Sequence, residues 1–86
     1  MTTEDRIRIA EGAIRAAGFE LRYVEYCEDA ETPGLLGMYR GATNQKTKQV
    51  KIATHGHSRE AIAEALAHEL HHVLDPAWKC GSSPVI

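Results

Sequence analysis

The chain has 86 residues, a formal charge of −2 and a pI near 6.2, a length that suits one domain with a modest core. Hydrophobic residues at 43% and charged residues at 26% are ordinary globular proportions and exclude a disordered chain. No Lys/Arg block or basic-aromatic interleaving supports a nucleic-acid partner, and no run approaches the roughly 18 apolar residues of a membrane span.

The charged start, Met1-Thr-Thr-Glu-Asp-Arg, is no secretory signal, so the expected location is the cytoplasm. Thr2 or Thr3 can cap a first helix, with Glu4 and Asp5 at the positive end of its dipole. Ile7, Ala10, Ile14 and Ala17 follow at helical spacing, and Gly18 is placed as the residue that ends the helix. Arg6, Arg8 and Arg15 point elsewhere and read as a solvated face.

Phe19 to Cys27 mixes apolar and polar residues in rough alternation and is rich in aromatic and β-branched side chains, which predicts a strand. Its register is imperfect: Phe19, Leu21 and Tyr23 share one face, Val24 and Tyr26 the other. Tyr23 and Tyr26 read as packing residues. Glu28 to Gly34 is an acidic loop closed by a Pro-Gly turn signal. Leu35 to Arg40 reads as a second strand, Gly41 to Thr47 as a turn-rich polar connection, and Lys48 to Thr54 as a third strand with Val50 and Ile52 on one face. Lys48 and Lys51 suit a wet face or an exposed edge.

His55-Gly-His57 bends the chain into a second helix, with Ser58 as N-cap and Glu60 in the first turn. Residues 58 to 75 have no internal Gly or Pro, and His68, Glu69 and His72 spell H-E-x-x-H within them. On a helix the two histidines lie one turn apart on one face, where they can take two corners of a tetrahedral zinc site. Glu69 lies about 100° round from His68, in reach of a metal-bound water without being a ligand. Ile62, Leu66, Leu70 and Val73 form the core stripe. Ala61, Ala65, His68, His72 and Asp75 form the opposite side, where small alanines would leave an open groove. The alternative is three surface histidines on an ordinary amphipathic helix.

Pro76 stops this helix, and Trp78 is placed to anchor the tail that follows. Cys27 and Cys80 are far apart and in no Cys-x-x-Cys pair, so packing is their expected role, with Cys80 kept as a possible ligand. No repeat or linker divides residues 1–86, which read as a single α+β domain: an N-terminal helix, a three-stranded and mostly antiparallel sheet, and a C-terminal helix that carries the motif.

This order, with His68-Glu69-Leu70-His71-His72 inside Leu66 to Leu74, resembles the minimal core of the zincin metallopeptidases. It is most similar to the small ImmA/IrrE-like group found in phages and mobile elements, in which a strand leads into an A-H-E-L-x-H helix. The resemblance implies a zincin-like peptidase with Zn2+ held by His68 and His72 and with Glu69 as general base. It also implies an extended peptide or protein substrate along the sheet edge formed by the strand ending near Thr54. The third ligand of the family is missing from its usual places: position 78 is Trp, and none of the 14 residues after His72 is Glu.

Asp75 is the nearest substitute, since positions 68, 72 and 75 share a helical face within about 60°. His55, His57, Cys80 or a homodimer partner could serve instead. His71 could steady an oxyanion or lie in solvent. A binding module that kept the core but lost turnover is the competing reading.

Overall fold

The computed structural model describes residues 1–25 and 40–78. Its elements are helix α1 (Thr3–Ala16), strands β1 (Glu20–Val24), β2 (Gly41–Asn44) and β3 (Gln49–Ala53), and helix α2 (Arg59–Leu74). The α+β class expected from the sequence is the class observed.

Each helix boundary has a local cause. Thr2 caps α1 through its side chain, and Asp5 answers by accepting from the Thr2 N–H, so two otherwise unpaired donors are satisfied. At the other end Gly18, at φ 90, donates to Arg15 O while Phe19 donates to Ile14 O. That pair of bonds reverses the chain and drops Phe19 beside Ile14 in the core. Ser58 caps α2 by accepting from the Ala61 N–H at 3.1 Å.

The sheet is mixed rather than mostly antiparallel. Its order is β1-β3-β2, with β1 parallel and β2 antiparallel to β3. The β2–β3 hairpin is antiparallel because a four-residue turn joins it. Asn44 Oδ1 accepts from the N–H groups of Lys46 and Thr47, and Lys48 adopts a left-handed φ of 57. β1 lies beside β3 instead of beside its sequence neighbour β2, and both run the same way.

The strand read over Leu35 to Arg40 falls, but for Arg40, outside the described residues, as do Tyr26, Cys27 and Cys80. Gly41–Asn44, read as part of a connection, is β2. β3 is the central strand, so the chain ending near Thr54 is not a sheet edge.

Strand register sets the two faces of the sheet. The rows Leu21–Val50–Thr43 and Tyr23–Ile52–Gly41 face the helices, while Arg22–Lys51–Ala42 and Glu20–Gln49–Asn44 face away. Both helices cover the first face. Ile14, Val50, Ile52 and Leu66 are its fully enclosed side chains, joined by Ile7, Phe19, Ile62 and Val73. Ala53 donates to Arg40 O, so Arg40, Ala42 and Asn44 turn their backbone groups toward β3, and Gly41 and Thr43 turn theirs away from it.

Candidate functional site

Helix α2 carries the motif, and its packing decides which way each motif residue looks. Ile62, Ala63, Ala65, Leu66, Glu69 and Val73 are buried and fall within an arc of about 160°. Glu69 therefore sits within this buried stripe, on the side that meets Thr43 of β2. His68, one residue back, lies at its rim and is exposed, and His72 is half-buried.

Glu69 is 4% exposed, and among the described residues no other charged or polar residue is buried. Enclosing a carboxylate is costly unless donors meet it. Thr43 Oγ1 donates to Glu69 Oε1 at 2.7 Å. Two residues earlier on β2, the missing side chain of Gly41 makes room for the same group: a Cβ there would lie 2.9 Å from Glu69 Cγ and 3.1 Å from Oε2. β2 is thus shaped around Glu69, by a hydroxyl at one position and an empty one at the next on the same face.

The His68 and His72 ring centroids are 5.2 Å apart, with planes at 65°. Two imidazoles sharing a tetrahedral zinc at ordinary bond lengths place their centroids about 5 Å apart, a separation that this pair matches and that histidines one turn apart on any helix also reach. Gln45 Nε2 donates to His72 O at 2.8 Å and ties the hairpin turn to the last turn of α2. The Trp78 ring lies 5.1 Å from His68 and 4.6 Å from His72, and it stacks on His71 at 3.9 Å and 19°. His71 is exposed on its other side and belongs to this aromatic contact.

His68 and His72 would supply at most two donors to a metal ion. Among the described residues no three His, Cys, Asp or Glu side chains gather as a metal would need. α2 ends at Leu74, and Asp75 has left helical geometry at φ −133, ψ 85. The face-sharing expected of positions 68, 72 and 75 assumed that the helix continued. Asp75 is exposed, and its Oδ1 accepts from the Ala77 N–H. His55 and His57 stand at the sheet end of the bend, where the His55 N–H donates to Glu25 O and the His57 N–H to Thr54 O. They precede the start of α2, and His68 lies about 15 Å along that helix from its cap. Cys80 lies outside the described residues.

The expected alanine groove is filled on one side, since Ala65 is buried and Ala61 half-buried. A depression of about 330 Å³ is lined by Ala67, Leu70, His71, Leu74 and Asp75, on the flank of α2 turned away from Glu69. Sequence reasoning missed Gly41 and Thr43. The only available signal was Gly41-x-Thr43, two residues at strand spacing, inside a stretch too polar to read as a strand.

No family model, curated protein or solved structure matches this chain. Fold and site together define a small α+β domain in which one helix presents a histidine pair at its rim and a buried glutamate to the sheet.

Proposed function

We propose that this chain is a small zinc-dependent peptidase in which His68 and His72 hold the metal and Glu69 is the general base, acting in the cytoplasm on peptide or protein substrates. The observation that carries this reading is the histidine pair at 5.2 Å with a buried, hydrogen-bonded carboxylate between the two in sequence. Zinc, when bound, supplies the Lewis acidity that polarises a carbonyl and acidifies water. Glu69 takes up a proton as water attacks the peptide carbonyl and returns it to the departing amine. An extended substrate pairs with β2, where Gly41 and Thr43 turn their backbone groups away from β3. A third donor would come from Asp75, His55, His57, Cys80 or a second copy of the chain.

One observation favours the binding-module reading instead: the described residues gather no third ligand. Metal analysis after dialysis against zinc, paired with cleavage of an unfolded protein such as casein, separates the two. The peptidase reading expects one zinc per chain, lost in His68→Ala and in His72→Ala. In Glu69→Gln zinc is retained and cleavage abolished. A wild type that takes up no zinc sinks the peptidase, and zinc without cleavage leaves the binding module.

A further inference from the structure

We infer that Thr43 is the positioning residue for the Glu69 carboxylate, an inference that rests on the reading of Glu69 as general base. A carboxylate on a two-carbon arm can swing, and a base that swings transfers protons poorly. Strand β2 limits that freedom. The Thr43 hydroxyl takes Oε1 at 2.7 Å, and its direction is set by a β-branched side chain on a paired strand. Gly41 leaves the space that Cγ and Oε2 occupy, since a Cβ there would lie 2.9 and 3.1 Å from them and 3.1 Å from Ile52 Cδ1.

With Oε1 engaged by Thr43, Oε2 is the atom that accepts the proton. In the first step a water O–H bond breaks, an Oε2–H bond forms, and the water oxygen bonds to the peptide carbon. In the second the C–N bond breaks and the Oε2 proton passes to the departing nitrogen. The products are a carboxyl group and an amine, with nothing else consumed. The Thr43 side chain touches neither substrate nor metal and acts only through Glu69, while its backbone is what pairs with the substrate.

Thr43→Val removes the hydroxyl at nearly constant shape, and Thr43→Ser restores it. In the zinc-loaded protein with casein, Thr43→Val is expected to lower kcat about 10- to 100-fold, with KM and zinc affinity within about twofold of wild type. Thr43→Ser should recover most of the rate. A second readout needs neither metal nor turnover: the infrared carboxylate band of Glu69 in zinc-free protein carrying 13C-carboxyl glutamate, identified by its loss in Glu69→Gln. That band should shift in Thr43→Val and hold in Thr43→Ser. The inference is overturned by a wild-type rate in Thr43→Val, by Ser failing where Val fails, by zinc lost in step with rate, or by an unshifted band. If the wild type cleaves nothing, the reading of Glu69 as base fails by itself, and the band alone decides whether Thr43 orients the carboxylate.

Discussion

Arg59 closes two guanidinium nitrogens on the two carboxylate oxygens of Glu4, at 2.8 and 2.7 Å, and so ties the first turn of α2 to the first turn of α1. Beside it the Tyr23 hydroxyl donates to Glu11, joining β1 to the same helix. Partial burial and then the Glu11 carboxylate push the Tyr23 hydroxyl up from its ordinary 10.0, so it stays a donor at neutral pH. Both contacts converge on α1, the first from the start of α2 and the second from β1.

The Glu4–Arg59 pair sets a pH dependence. The hydrogen bond from Arg59 holds the Glu4 carboxyl below its ordinary 4.5. A carboxyl depressed in the folded state stabilises the fold at pH above that ordinary value, and the contribution is lost as pH falls through the lower, folded one. Glu4→Gln should therefore be less stable than wild type near neutrality and indistinguishable from it in strong acid. Both side chains are well exposed, so the difference should be small and should shrink further in high salt. Thermal unfolding across that pH range, at low and high salt, measures it. A difference that persists in strong acid would place the effect elsewhere.

Gly41→Ala tests whether β2 is fitted to the helix. The added methyl would meet Glu69 Cγ at 2.9 Å and the Ile52 side chain at 3.1 Å, closer than packed carbons tolerate. Ile52 is fully enclosed on the central strand and has little room to yield. Overpacking of this kind costs about 1–3 kcal/mol, read as a lower urea midpoint at unchanged slope. A neutral result would mean that α2 stands off from β2.

Two leucines on α2 make opposite predictions. Leu66 is fully buried between the helices and the sheet, so Leu66→Ala should cost about 2–5 kcal/mol through lost burial and the cavity left behind. Leu74 is 67% exposed, and Leu74→Ala should change stability by less than about 0.5 kcal/mol. Similar losses at both positions would show that the Leu74 flank is covered.

The two helices were legible in the sequence because their signals are local. Caps at Thr2 and Ser58, the glycine after α1 and the apolar spacing each act within a turn or two. β3 was legible through Val50 and Ile52. β2 was not, because what makes Gly41–Asn44 a strand is distant: β3 supplies its hydrogen bonds, and Glu69 requires small or hydroxyl-bearing residues on its inner face. Those residues carry no hydrophobic alternation, and Gly41, Ala42 and Asn44 have low strand propensity. The site divides in the same way. The one-turn spacing of His68 and His72 follows from the helix, whereas the burial of Glu69 against β2 and the departure of Asp75 from the helical face depend on packing and on where α2 ends.

The only tryptophan of the chain makes the histidine cluster observable without a label. The Trp78 indole is half-buried, is held in its turn by the Trp78 N–H bond to Asp75 O, and stacks on His71 at 3.9 Å. His71→Ala uncovers one face of the indole, so emission should shift to the red at little cost in stability. Trp78→Ala removes all three ring contacts and should cost about 1 kcal/mol, most of which Trp78→Phe should recover. Zinc binding by His68 and His72 would change the indole surroundings within 5.1 Å. Titration with zinc should then alter emission in wild type and in His71→Ala, but in neither His68→Ala nor His72→Ala. An emission change that survives loss of either ligand would place the metal elsewhere on the chain, and a His71→Ala spectrum identical to wild type would mean that the indole does not rest on that imidazole in solution.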